Sequence, residues 1–198
     1  MSGNKILNNY PVRKISGKKT TLRVLEKKDL RRSLVWLKDP SVNMYLSHSF
    51  RDYTEEQELK WFEFVQNSNN DVVFAIEDTD THLYIGNCAL HKIDWEKESC
   101  EMGIVIGEKN YWNKGYGSDA IKNIINFALF NLNLKSIKLD VYRYNRRAIK
   151  VYGKCGFKLV QIEKRSHFYN GKYWDTLLME FKKPEFNRLY SFYILIFN

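Results

Sequence analysis

Trp112-Asn113-Lys114-Gly115-Tyr116-Gly117-Ser118-Asp119 stands between a β-patterned run and a helix-patterned one. Paired glycines let main-chain N–H groups approach an anion closely, and the helix that follows turns its positive dipole end and unpaired N–H groups to the same point. The segment is read as a phosphate cradle, with a pyrophosphate as its guest. The run before it, Ser99–Ile106, puts Met102, Ile104 and Ile106 on one face and Glu101, Gly103 and Val105 on the other. Its alternation is blurred, as in a strand buried on both sides. Beyond the loop, Ala120, Ile121, Ile124, Ile125, Ala128, Leu129 and Leu132 repeat at amphipathic spacing over residues 118–132, and residues 136–141 alternate as a short strand. Strand, glycine loop, helix and strand in that order imply neighbouring parallel strands.

Other readings share these glycines. A P-loop needs Gly-x-x-x-x-Gly-Lys followed by Ser or Thr, and Gly107 is not followed that way. A dinucleotide fingerprint fits Gly115 to Ala120, with Asp140 near the distance of a ribose-binding acid. Against it, residues 107–114 separate the strand from the first glycine, Asp140 lies inside its own strand, and no doubly wound alternation surrounds the unit. A plain turn and helix start remains open for the glycines alone. A second cluster moves the balance. Residues 145–157 read as a helix with Asn145 as N-cap, apolar Ala148, Ile149, Val151 and Tyr152, and Gly156 as the C′ stop. That helix begins where the 136–141 strand ends, so its N-terminus opens on the cradle's side of the sheet.

These two motifs, in this order and spacing, resemble the GNAT acyltransferase superfamily. Trp112 to Gly117 is similar to its Q/R-x-x-G-x-G/A loop, and Asn145-x-x-Ala148-x-x-x-Tyr152-x-Lys154-x-Gly156-Phe157 to the motif that follows. Residues 101–106 look like the family's cofactor strand and residues 22–29 like its opening strand and turn. The resemblance spans residues 20–181 and is closest to the subgroup of ribosomal-protein N-terminal and polyamine acetyltransferases. Trp112 replaces the pattern's Gln or Arg, and Asn113 replaces a frequent glycine; Asn accepts left-handed backbone angles better than most residues.

The resemblance implies an α/β (α+β) fold: a mixed, mostly antiparallel central sheet, splayed at the cofactor strand and flanked by about four helices. The rest of the chain fits it, with a strand at 21–24, helices at 29–37 and 54–67, and a hairpin of 72–76 with 83–90. Thr54 and Gln57 form a capping box, and a second hairpin of 157–165 with 173–181 turns on Asn170-Gly171. Residues 1–19 are read as an N-terminal basic extension, 20–183 as the domain and 184–198 as an apolar tail.

The implied activity is acetyl transfer from acetyl-CoA to a primary amine by direct attack in a ternary complex. The amine is a protein or peptide N-terminus, a polyamine or another small amine. An amino-sugar N-acetyltransferase and a non-catalytic coenzyme A-binding regulator are the alternatives. Tyr152 stands where the family carries a tyrosine near the cofactor sulfur and is assigned as general acid, a phenol of pKa ~10 being matched to a thiolate. An alkylammonium of pKa ~10 must lose a proton before it attacks, and Glu101, acting through a water, is the candidate base. Backbone groups of Ile104, Val105 and Ile106 are expected to pair with the pantetheine arm, one amide steadying the oxyanion. Trp112, Asn113, Lys114, Gly115, Tyr116, Gly117 and Ser118 are expected around the diphosphate, with Asn145 and Lys154 as further contacts. Trp36, Tyr45, Trp61, Trp95, Tyr169 and Trp174 fall on the acceptor side of such a fold and are otherwise read as core.

The formal charge of +9 suits an anionic cofactor, and Arg143, Arg146, Arg147 and Lys150 cluster where its phosphates would arrive. Nucleic acid is the other reading of this charge, but no nucleic-acid module is recognisable, and Lys27, Lys28, Arg31 and Arg32 read as a solvated helix face. Cys88, Cys100 and Cys155 are odd in number and scattered, which points to the reducing cytoplasm; Cys155 has no nearby histidine to make it a nucleophile. His48, His82, His91 and His167 lack zinc spacing, so no metal is expected; His91, beside the cofactor strand, is the histidine candidate for the acceptor pocket. The polar N-terminal residues show no export signal. The apolar stretch 189–197 is shorter than the ~20 residues that cross a membrane. It is expected to pack on its own domain or on a partner subunit, as in a homodimer.

Overall fold

The computed structural model describes residues 4–10, 12–46 and 52–184; His48 and the apolar stretch 189–197 lie outside them. In chain order the elements are α1 (Lys5–Asn8), β1 (Lys14–Ser16), β2 (Thr20–Val24), α2 (Leu30–Lys38), α3 (Pro40–Asn43), α4 (Glu55–Asn67), β3 (Val72–Asp78) and β4 (Tyr84–Asp94). They continue as β5 (Ser99–Ile106), α5 (Tyr116–Asn126), β6 (Ser136–Tyr142), α6 (Arg146–Lys154), β7 (Lys158–Tyr169) and β8 (Lys172–Lys182). The strands form one mixed sheet in the order β1-β2-β3-β4-β5-β6-β8-β7. Among the described residues only the β5–β6 pair is parallel. α1 and α3 add to the four expected helices; each is four residues long, too short to show a helical period.

Local chemistry sets many of the boundaries. At the start of α4 the Gln57 N–H donates to Thr54 Oγ1 (3.2 Å) and the Thr54 N–H to Gln57 Oε1 (2.8 Å), so two otherwise unpaired donors are satisfied reciprocally. Asn145 caps α6 by accepting from the Ala148 N–H at 3.2 Å. Asn170 and Gly171 turn the β7–β8 hairpin with φ of 51° and 77°. The helix expected over 118–132 starts at Tyr116, and its last turn, 127–131, widens to π geometry.

α5 and α6 cover one face of the sheet, where Ala120, Ile121, Ile124 and Tyr152 pack with Ile85, Leu90, Met102 and Ile137. α2 and α4 cover part of the other face, around Trp36, Val65, Val73 and Ala75. Residues of β5 reach both cores, Met102 one and Val105 the other, which explains its blurred alternation. Before residue 20 the chain is built into the domain: Ile15 lies opposite Leu22 in the β1–β2 ladder, and Ile6 and Leu7 are buried in the larger core.

The ladder between β5 and β6 is short. It joins Ser99 to Ser136, Cys100 to Ile137 and Glu101 to Lys138, and stops. β5 then stays with β4 as far as Ile106–Gly86, while β6 stays with β8 as far as Tyr142–Thr176. A wedge opens between residues 102–106 and residues 139–142.

α5 is aimed at this wedge by Asp119 in its first turn. The Asp119 carboxylate accepts from the N–H groups of Lys18 (3.2 Å), Lys19 (3.0 Å) and Thr20 (2.9 Å) and from Thr20 Oγ1 (2.7 Å), which ties the helix to the β1–β2 turn. Burial pushes this carboxyl up, but the Thr20 hydroxyl and the backbone N–H groups outweigh it and hold it below its ordinary range. A depressed carboxylate contributes stability that is present above its unfolded pKa and lost as pH falls through the folded one. Asp119→Ala is therefore expected to lower unfolding stability by about 2 kcal/mol at pH 7, with the gap to wild type closing below about pH 4, as denaturant melts across pH will show.

Candidate active site

A cavity of about 540 Å³ occupies the wedge. Ile104, Val105 and Ile106 line it, and their edge on the β6 side has no strand partner, so main-chain groups are open to an extended guest. Asn113, Gly115, Gly117 and Ser118 form its floor. Asn113 takes the left-handed conformation expected of it (φ 60°), as does Gly115 (φ 91°), the N-cap of α5. Gly115 has no side chain to cap with, so the first-turn N–H groups of α5 lack the partner that Asn145 gives α6. A Cβ built on Gly117 would meet nothing nearer than Ile106 Cγ1 at 3.8 Å. The fold thus has room for a side chain at 117, and leaving it out keeps the space beside the uncapped helix start free. These residues fit the diphosphate of a coenzyme.

Trp112 lines the cavity and also braces the loop. Its indole N–H donates to Ile106 O at 2.6 Å, and the Arg147 guanidinium lies 4.1 Å over its ring. The tryptophan thereby fastens the cradle to β5 and holds the one basic side chain of its cluster that lines the cavity, Arg147. Arg143 instead pairs with Asp175 at 3.2 Å, and Arg146 and Lys150 stand outside the lining. Lys114, Tyr116 and Lys154 also lie outside it: the Lys114 carbonyl accepts from Lys19 Nζ (2.9 Å), and Tyr116 packs edge-on against Tyr111 at 4.8 Å. Asn145 does line the cavity, with its side-chain oxygen engaged in the cap.

Tyr152 lines the cavity from α6, and burial pushes its hydroxyl up to about 12, so it carries its proton throughout the neutral range. Glu101 is placed elsewhere. It sits at the last paired position of the ladder, opposite Lys138, is 49% exposed, and is ion-paired with Lys92 at 2.9 Å outside the cavity wall. Its ladder keeps it on the closed side of the point where the strands part.

The far half of the cavity is walled by groups that no local motif announced. Asp140 and Tyr142 come from β6, Glu163, Ser166 and His167 from β7, Thr176 from β8, and Tyr45 from the segment after α3. The β7–β8 register shifts between Glu163 and His167 and brings Ser166 Oγ to 2.7 Å from Thr176 Oγ1. Partial burial, then the charges of Glu101 and Glu163, push Asp140 above its ordinary range. His91 does not line the cavity; its Nδ1 is 2.9 Å from Asp71. Of the six aromatics expected toward the acceptor, only Tyr45 lines the wall; Trp36 is buried with its N–H on Glu108 (2.9 Å), and Trp95 is 43% exposed. The Cys155 thiol packs toward Ser118 O at 3.7 Å and is pushed up by burial.

A parallel strand pair that parts beside an uncapped helix start offers open main-chain groups and an anion-binding helix end to one extended, anionic guest. The Acetyltransferase (GNAT) domain profile matches residues 19–158, and the chain belongs to the GNAT acetyltransferases, N-acetyltransferases that draw their acetyl group from acetyl-CoA. Among its relatives, N-acetyltransferase p20 of Bacillus licheniformis is 26% identical over 84% of this chain and 94% of its own. The spermidine N(1)-acetyltransferase of Vibrio cholerae is 28% identical over 80% and 90%. A crystal structure of spermidine N-acetyltransferase from Vibrio cholerae in complex with CoA and spermine superposes with a TM-score of 0.74 at 25% identity, over 83% of this chain and 95% of that one. These relatives support the polyamine branch of the resemblance and not specifically the ribosomal-protein branch. Gly117→Val is expected to weaken acetyl-CoA binding by 1.4 kcal/mol or more, about tenfold in Kd by calorimetry, with an unchanged far-UV spectrum, because its Cβ meets only the ordinary contact to Ile106.

Proposed function

We propose that this enzyme acetylates a cationic alkylamine of the polyamine type by direct attack on acetyl-CoA held in the same cavity. The observation that carries the reading is the polarity of the wedge: one end presents uncapped helix N–H groups and the other presents the carboxylates of Asp140 and Glu163. An anionic cofactor and a cationic acceptor are drawn to opposite ends and meet where β5 and β6 part. A relative named as a spermidine N(1)-acetyltransferase and a similar structure in complex with CoA and spermine support this reading.

Bound acetyl-CoA supplies a thioester carbonyl activated toward an amine. The chain's own groups do the rest. Unpaired backbone between Ile104 and Ile106 lies along the open edge and offers N–H groups to the carbonyl oxygen. Tyr152, protonated and lining the same space, is the proton donor for sulfur. Cys155, bonded toward Ser118 O and raised by burial, is unsuited to carry the acetyl group, which favours one direct transfer. Glu101, paired to Lys92, adds negative charge near Asp140 without reaching the cavity.

Free-thiol release from acetyl-CoA over a panel of spermidine, spermine, peptide N-termini and amino sugars tests the acceptor class: turnover is expected on the polyamines, and a preference for peptides or sugars overturns the reading. Tyr152→Phe should lower kcat by about 100-fold with cofactor affinity unchanged. Asp140→Asn should raise the KM for spermidine about tenfold, equivalent to ~1.4 kcal/mol, and leave the KM for acetyl-CoA as it was.

A further inference from the structure

We propose that His167 is the general base that takes the proton from the acceptor ammonium, an inference that rests on the amine-acetylation reading above. His167 lines the acceptor half of the cavity from β7, together with Asp140, Glu163 and Tyr45. Its ring is stacked on Tyr142, with centroids 3.8 Å apart and planes 13° off parallel, so its orientation is held. Tyr144 fixes the tautomer. The Tyr144 hydroxyl has one proton and donates it to Met44 O at 2.5 Å, and the same oxygen lies 3.3 Å from His167 Nε2. An oxygen whose only proton is engaged can meet that nitrogen only as acceptor, so Nε2 carries the hydrogen and the lone pair of the neutral ring is on Nδ1. Among the described residues Nδ1 has no hydrogen-bond partner, in contrast to His91, whose Nδ1 is held by Asp71. An imidazole with an unoccupied lone pair in a cavity that receives ammonium groups is a base in position.

The groups around His167 are consistent with that role. Tyr142, Tyr144 and Tyr169 surround the ring with neutral phenols, Trp174 faces it across the β7–β8 ladder, and Ser166 and Thr176 are bonded to each other. The charged groups sharing its cavity are Asp140, Glu163 and Arg147. The two carboxylates hold the acceptor's charge, and the imidazole, with its Nδ1 lone pair free, accepts the proton. An N–H bond of the ammonium breaks and its proton joins Nδ1. The electron pair left on nitrogen forms the bond to the acetyl carbon, and the C–S pair departs with sulfur, which takes the Tyr152 proton. The acetylated nitrogen still carries one surplus proton, whose N–H bond breaks as it passes to solvent, leaving the neutral amide and one net proton released; solvent exchange returns the imidazolium proton to the Tyr152 oxygen.

The experiment compares kcat against pH for the wild type and His167→Gln, with spermidine and acetyl-CoA. Wild-type kcat should show an acid limb, falling as the base becomes protonated. His167→Gln should lose about 100-fold in kcat at the plateau and lose that acid limb, while added imidazole restores part of the turnover and acetyl-CoA affinity stays unchanged. Should His167→Gln fail to fold, Tyr144→Phe, which frees the tautomer, should displace the limb; an unmoved limb overturns the proposal. An active wild type whose His167→Gln variant keeps both turnover and acid limb overturns the assignment of His167 alone. A wild type that releases no thiol on any amine overturns the amine-acetylation reading and this assignment with it.

Discussion

Everything at the site depends on β5 and β6 being paired at three positions and then parting. Each strand has a stronger commitment on its other side, β5 to β4 and β6 to β8, and both ladders run on past the point of separation. The parting exposes main-chain groups of residues 104–106 that a continued parallel ladder would have consumed. Unpaired backbone buried without a partner is costly, so an opening of this kind persists where something else meets those groups. Trp112, donating to Ile106 O, meets one of them from the cradle side.

The wedge also unites the two faces of the sheet. Tyr152 and the start of α5 approach from the face covered by α5 and α6, whereas Asp140 and Tyr142 reach the cavity from β6 and Glu163 and His167 from β7. An intact sheet would keep these groups apart. Burial raises the Tyr152 hydroxyl, and burial with neighbouring charge raises Asp140. One cavity thus brings together a protonated phenol from α6 and the carboxyl groups of Asp140 and Glu163.

The cradle and its helix were legible because they are local. Asn113 and Gly115 in left-handed conformations, the uncapped start of α5, the Asn145 cap and the Thr54–Gln57 box are set by residues within four positions of one another. The far wall of the cavity was not legible. Glu101 looked suitable by alternation along its strand, but alternation does not tell where a ladder ends, and Glu101 lies just short of that point. His91 was chosen because its strand neighbours β5, yet Asp71, twenty positions away, already holds it. The wall residues meet through the β7–β8 register shift and the long return that sets β8 beside β6.

By itself the sequence determined the glycine loop and the helix that follows it, the helix caps, the family and the tyrosine that faces the cavity, since short-range spacing and backbone preference govern all four. Tertiary structure alone decided which carboxylates and which histidine share the cavity, where the basic cluster points, and that Ile6, Leu7 and β1 belong to the core and the sheet. The reason is physical: those outcomes depend on strand order and register, which bring together groups tens of residues apart and leave no periodic trace in the chain.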